Sequence, residues 1–475
     1  MTTEARDWDA ATCDRGVRQL FRLADELDRA YERLSTTESR LAGWSGSAAD
    51  HARPRVRAAT VRVSGLAGLL RQAADVVRSG LHCIAEAARL AGGAAQSPRE
   101  ADEGRALAAA VDGRISAGLD AVRTTSPAAR LPGPDSTAAE VAHWWTALPP
   151  ELRRQLLARE PATLGSLAGL PAEIRDAANR RQLATLLARL RAERDQLLTT
   201  GPLLPAHQAR YAVVRSMLTI AEAVERALAG RRARLLTLDL SGVGRVAIGL
   251  GDVDRARHVA VLVPGMGDDA VHGVGGTVDR AGNLLAEAGR QSDESSAAIA
   301  WLGYAAPDWR EVPFATRARA GGRMLAADLA SFDSGRSVDG GGLPHVTLVG
   351  HSYGSTVVGA AAQAGPKRAD DLVLVGSPGV LAGNARELGL PGRRVYVGEA
   401  PFDPVADLGV FGADPGDAAF GATPIRTDPE PGRPWPVQLA GAHTGYFDPG
   451  SESLRNIARV VVGHGAGVTR PGEAA

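Results

Sequence analysis

Cysteine is nearly absent from this sequence of 475 residues, with only Cys13 and Cys83. That excludes a disulfide-dense scaffold and a cysteine-based zinc site. Lysine is scarcer still: Lys367 is the sole example, so arginine carries nearly all the positive charge. Basic and acidic residues number 54 each, and that balance gives no electrostatic reason to expect nucleic acid or an anionic membrane as a partner. Aromatic residues make up 4%, so the cores must be mostly aliphatic. No stretch reaches the ~18 uninterrupted apolar residues that suggest a transmembrane helix. The opening MTTEARDWDAATCDR is charged and has no apolar run, which argues against a secretory signal peptide. The expectation is a soluble chain, cytoplasmic by default. Gly273, Gly275 and Gly276 do not form G-x-G-x-x-G, and there is no phosphate loop with a lysine. Histidines do not cluster with carboxylates at ligand spacing along the chain, so neither cofactor nor metal is expected.

The first half reads as helices. Cys13, Val17, Leu20, Ala24, Leu27, Tyr31 and Leu34 recur at alternating spacings of four and three, one stripe on a long helix. Leu66, Leu70, Ala73, Val77, Leu81, Ile84 and Ala88 form a second stripe. The small residues around Trp44 between them predict a tight turn and an antiparallel hairpin. Such a hairpin would place Cys13 and Cys83 near one another, as a bridge outside the cytoplasm or as two buried thiols. Further helices follow to about Arg231, with Trp144 and Trp145 read as helical core and the Arg and Glu runs as solvated faces.

Near Arg234 the period changes. ARLLTLDLSG, GRVAIGLGD and HVAVLVPG are short, branched and apolar, and helical and strand patterns then alternate to the closing helix SLRNIARVVVG. WPVQLAG is the candidate last strand. Alternation of this kind predicts an α/β fold with a mostly parallel sheet, helices on both faces, and ligands at the carboxyl ends of the strands. The expected division is a helical hairpin over 1–95, a helical layer packing on the core over 96–232, a catalytic domain over 233–466 and a flexible tail over 467–475.

VTLVGHSYGSTVVG places Ser352 between a predicted strand and a predicted helix, the context that gives G-x-S-x-G its meaning. A serine held on so sharp a corner needs small flanks, and Gly350 and Gly354 supply them. The hydroxyl needs a base. Of the two downstream histidines, His443 follows the candidate last strand, whereas His464 lies in the expected tail. For the acid, VYVGEAPFDPVADLG offers Glu399, Asp403 and Asp407. Asp403 is preferred because it follows the strand after a short turn and Pro404 stiffens its loop; Asp407 and Asp414 stand in reserve, and Asp448 follows the histidine. The oxyanion donors are expected to be the backbone N–H groups of Tyr353 and of Met266, with Gly267 as the alternative. Tyr304 and Trp309 are candidate lining of the acyl site, and the Gly-, Pro- and Asp-rich segment from Leu408 to Pro436 is a candidate flap.

Two resemblances accompany these motifs. The first 95 or so residues resemble the WXG-type hairpins of type VII secretion systems, with Trp44-Ser45-Gly46 as the turn. This implies a secretion partner, dimerisation through the hairpin, or export by that route. The stretches VLVPGMG, WLGYAAPDW, GHSYGSTVVG and GAHTGYFDPGSESLRNIARVVVG resemble an uncharacterised actinobacterial α/β-hydrolase family. The helical stretch from VAHWWTALPP onward is similar to the segment that precedes its core, so the likeness covers about residues 137–465. It implies a serine hydrolase with Ser352, Asp403 and His443 as its triad, acting on a carboxylic ester, lipidic or small. Met266 departs from the small residue or threonine of that family's motif. Two other readings stay open: a secretion-linked binding protein with little turnover, and an acyltransferase, thioesterase or peptidase with the same triad.

Overall fold

A computed structural model of the chain describes residues 10–41, 56, 63, 66–80, 85, 97–125, 131–133, 136–199, 205–308, 311, 314–338, 342–364, 368–401, 403–406, 409–428 and 439–473. Trp44, Ser45, Gly46, Cys83, Trp309 and Asp407 lie outside these residues, and with them the hairpin turn and the cysteine pairing.

The chain divides into two compact units: Met1–Pro134 with Ala147–Arg153, and Asp135–Thr146 with Arg154–Ala475. The first unit carries α1 (Ala10–Leu41), α2 (66–80) and α3 (Pro98–Thr125). On α1 the stripe positions Val17 and Ala24 are buried as the spacing predicts. On α2 the buried line is Ala67 and Ala74, one position along from the predicted Leu66 and Ala73, and Leu66 is exposed. Small residues there let neighbouring backbones approach. Val111 and Ile115 of α3 form a small core with Cys13, Val76 and Val77. This packing groups α3 with the first helices, so the expected boundary near residue 96 does not match the contacts.

The rest of the helical region is α4 (Ala138–Ala147), α5 (Pro150–Arg159), α6 (Pro161–Ser166), α7 (Ala172–Thr199) and α8 (Pro205–Leu228), and apart from Ala147 and the first turn of α5 it belongs to the second unit. Helix α7 is fastened at its N-terminus, where the Ala172 and Glu173 amides donate to the Asp254 carboxylate at 2.8 and 3.1 Å. Its Asn179 donates to the Leu235 carbonyl at 2.9 Å. Helix α7 thus packs on the first strand of the sheet, β1 (Ala233–Asp239).

That sheet has eight strands in the order β1-β2-β4-β3-β5-β6-β7-β8. They are β1 (Ala233–Asp239), β2 (Arg245–Leu250), β3 (His258–Val263), β4 (Ser296–Leu302), β5 (His345–His351), β6 (Asp371–Val375), β7 (Val395–Gly398) and β8 (Thr423–Ile425). β2 runs antiparallel to both of its neighbours, β1 and β4, and the other pairs are parallel. Every residue of β3, HVAVLV, is buried, the mark of a strand covered on both faces. The covering helices are α9 (Val274–Gln291), α10 (Thr316–Val338), α11 (Tyr353–Ala364) and α13 (Glu452–Val461), with the short α12 (Leu439–Thr444) before the last.

Three expectations change. Among the described residues the last strand is Thr423–Ile425, whose Pro424 suits an edge position; of WPVQLAG, Leu439–Gly441 are helical and the rest lies outside the described residues. The expected flap contains that strand, and over 409–428 it is anchored: Phe411 and Phe420 are buried, and Phe411 exchanges backbone hydrogen bonds with Pro378 and Leu381. The expected flexible tail is tied down through residue 473. Thr469 bonds Asn456 and Arg426, and Val468 is buried.

Candidate functional site

Ser352 occupies the one-residue corner between β5 and α11 with φ 54°. That left-handed backbone is rare and costly for a non-glycine residue. The surroundings over-determine it. The Ser352 amide donates to the Val375 carbonyl at 2.9 Å, and the Ser352 carbonyl accepts from the Ser355 amide at 2.9 Å. The Ser355 hydroxyl also bonds that carbonyl, at 2.6 Å, and reaches Ser377 Oγ at 2.7 Å.

The need for small flanks is steric. A Cβ on Gly350 would lie 2.5 Å from Ser355 Cα, and one on Gly354 would lie 2.6 Å from the Pro264 carbonyl oxygen and closer still to that of Val263. Gly265, after β3, passes so near that a Cβ there would sit 2.6 Å from Ser352 Cβ. Beyond it come Met266, whose side chain is half-exposed, and Gly267 with φ 76°. This loop is pinned beneath and behind. Tyr304 donates its hydroxyl to the Pro264 carbonyl at 2.7 Å, and Asp268 accepts from Arg280 of α9 at 2.5 Å. Tyr304 is therefore a buttress, 2% exposed and stacked between Trp301 and Tyr353, not a lining residue of an open acyl site. The Tyr353 N–H opens α11 and is one of the amides a helix start leaves without an intrahelical acceptor.

Asp403 and His443 meet across the loops that follow β7 and β8. His443 Nδ1 stands 2.9 Å from both carboxylate oxygens. Asp403 is buried, and burial alone would raise its pKa; the hydrogen bonds from His443 and Tyr446, with the Val405 N–H, bring it below the ordinary value. Tyr446, not anticipated from the sequence as a site residue, donates to Asp403 Oδ2 at 2.6 Å and accepts from the Ala400 amide at 2.8 Å. Its signal was present in the spacing: HTGY sets it three residues beyond His443.

Gly376, directly after the carbonyl that holds Ser352, has φ 56°, and a Cβ there would lie 3.1 Å from His443 Cε1 and 2.7 Å from Asp403 Oδ2. The serine corner and the acid–histidine pair thus flank one short backbone step. The Ser352 hydroxyl and His443 do not hydrogen-bond to each other in this structure.

His351, beside the serine, donates from Nε2 to the His443 carbonyl at 2.7 Å, with the two rings 4.9 Å apart. Its Nδ1 is buried without a partner. Burial, then the neighbouring His443, pushes its pKa down to about 3, so the folded state keeps this ring neutral, facing His443, Asp403 and Arg280. Above about pH 6.5 the ring is neutral in both states. Below that the unfolded chain binds a proton that the folded chain refuses, so stability falls as pH drops through the window from about 6.5 toward about 3. Urea midpoints between pH 7 and 4.5 should show a wild-type slope steeper than that of His351→Gln, by up to ~1.4 kcal/mol per pH unit. Equal slopes would remove this role.

Among the described residues no three His, Cys, Asp or Glu side chains gather as a metal site, and no helix is long and apolar enough to cross a membrane.

The chain is similar in sequence to known proteins. A family model described as alpha/beta hydrolase matches residues 239–413, a stretch that contains Ser352 and Asp403 and ends before His443. The uncharacterized protein Rv2079 of Mycobacterium tuberculosis is 33% identical over 411 residues, covering 76% of this chain and 61% of the relative. The uncharacterized protein Mb0988c of Mycobacterium bovis is 36% identical over 199 residues, 38% of this chain and 73% of the relative. The chain therefore spans 61% of the length of the first of these relatives. With the sheet order, the serine corner after β5 and these matches taken together, the chain belongs to the α/β-hydrolase family.

Proposed function

We propose that the protein is a serine esterase that cleaves carboxylic esters, lipidic or small, through Ser352, His443 and Asp403. The observation that carries this reading is the strained backbone of Ser352 beside a buried, hydrogen-bonded carboxylate–imidazole pair. Left-handed backbone at a non-glycine residue has a cost; Leu381 shares it at φ 59°, but only at Ser352 does a hydroxyl stand beside the carboxylate–imidazole pair, and a catalytic role accounts for the cost there.

In this mechanism Asp403 fixes the proton on His443 Nδ1, leaving Nε2 as the base. In the reacting complex Nε2 accepts the Ser352 hydroxyl hydrogen. The imidazole takes the hydroxyl proton as Oγ bonds the ester carbonyl carbon, and the carbonyl π pair moves to oxygen. The Tyr353 and Met266 amides hold that oxyanion. Collapse expels the alkoxide, which takes the proton from His443 Nε2, and leaves an acyl-serine. Water, deprotonated by the same imidazole, then releases the acid and restores the serine.

A fluorophosphonate probe should label the native chain once, with the adduct mapping to the peptide that holds Ser352. A series of p-nitrophenyl esters of rising chain length should then show an optimum that sizes the acyl site. Failure to label, in a chain with a native circular-dichroism spectrum, would favour a binding protein on the same fold.

A further inference from the structure

His443 is carried by α12, a helix of six residues. A helix so short has little stability of its own, and its last carbonyls have no intrahelical donor. The His443 carbonyl is one of these. It accepts from His351 Nε2 at 2.7 Å. His351 is the last residue of β5, paired in register with Val375 of β6 and 5% exposed. Its ring lies among those of His443, Tyr446 and Phe447, with centroids 4.9, 6.0 and 6.1 Å away. One hydrogen bond thus ties the segment that bears the base to the strand that ends in the serine corner.

The chemical type of this donor narrows its role. A helix C-terminus favours a cation, yet burial and the neighbouring His443 keep the His351 ring uncharged. On the esterase reading His443 itself becomes a cation when it takes the serine proton. A charged donor would oppose that step from one ring away; a neutral imidazole gives the N–H and no charge. A neutral ring has a single N–H. With that hydrogen on Nε2, the Nδ1 atom remains a buried acceptor without a partner. An apolar ring of similar size would fill the same space free of that cost. What the apolar ring lacks is the donor.

We propose that His351 is a positioning residue of the hydrolytic site: it caps the end of α12 and fixes the bearing from which His443 presents Nε2 to the serine, without placing a charge beside the base. Asp403 holds the His443 ring by its Nδ1 edge; His351 holds the main chain behind it. The role presupposes the esterase reading.

The test compares full-length wild type, His351→Phe and His351→Gln on p-nitrophenyl acetate, with circular dichroism to show that each is folded. His351→Phe keeps a ring in place and removes the donor. Its kcat should fall by about 30- to 100-fold, the scale of a small misplacement of a catalytic group, with KM within about twofold. Fluorophosphonate labelling of Ser352 should slow in parallel. His351→Gln loses the ring but sets an uncharged amide NH₂ near the place of Nε2, and should stay within about fivefold of the wild-type kcat. A ring needed only for packing predicts the reverse order, Phe above Gln, and that order would overturn the role. Nitrogen-15 NMR of wild type at about pH 5, where an ordinary histidine is charged, should find His351 neutral with its hydrogen on Nε2. A charged ring, or a hydrogen on Nδ1, would overturn the role whether or not the variants fold. Absence of ester turnover in wild type would instead sink the esterase reading, and this role with it.

Discussion

Replacing Ser352 with alanine is expected to lower kcat/KM for p-nitrophenyl esters by roughly four to six orders of magnitude, with the melting temperature kept or raised. The activity loss follows from the removal of the only atom able to form the acyl bond at this corner. The behaviour of stability follows from the backbone. Ser352 is held at φ 54° by the Val375 carbonyl on one side and the Ser355 amide on the other, and alanine at the same φ meets much the same steric cost. The Ser352 side chain makes no hydrogen bond whose loss would weaken the fold. Activity and stability should therefore separate. A variant that lost both together would indicate a scaffolding role for this serine. A variant that hydrolysed esters at the wild-type rate would end the esterase reading.

Asp403→Asn should cost about 10⁴ in kcat, and the reason lies in the donors that surround the carboxylate. Three converge on it: His443 Nδ1, the Tyr446 hydroxyl and the Val405 amide. A carboxylate accepts from all three. An asparagine has one oxygen and turns an NH₂ group toward the remaining partners. Tyr446 already accepts from Ala400, so its own hydrogen loses its acceptor when the amide nitrogen faces it. If the nitrogen faces His443 instead, the ring satisfies it by holding its proton on Nε2, the position from which it has to act as base. Circular dichroism should remain native while the rate falls. A loss below tenfold, in a folded variant, would mean that His443 needs no orienting partner and that Asp403 is structural.

The sequence made the serine corner legible because its requirement is local. Gly350 leaves room for backbone atoms four and five residues on, and Gly354 for those at the end of β3 and its loop, and a strand-to-helix transition is visible in the change of period. Asp403 and His443 were reachable by elimination, through chain order and the shortage of downstream histidines. What escaped depends on contacts between distant segments. Tyr446 gains its role only when the β7 loop lies over it. Tyr304 reads as a pocket aromatic by its place after β4, but its hydroxyl finds the Pro264 carbonyl and buries it. His258 and His345, whose rings meet, are 87 positions apart, and only parallel pairing of β3 with β5 brings them together. The last strand was misplaced because Pro424 argues against strand formation except at an edge, and edge status belongs to the sheet, not to the segment.

Tyr446 has a wider consequence. One hydroxyl bridges the acid and the backbone three residues before it, while the ring sits one helical turn from the base. Acid and base are thereby cross-braced to each other, with no dependence on the length of polypeptide that runs between them. Much of that span is itself fixed by β8 and by the buried Phe411 and Phe420, so exchange is open only at the positions these anchors leave exposed, as a tool holder accepts different bits. On the esterase reading, new substrate preferences can be grafted at those positions without realigning the pair.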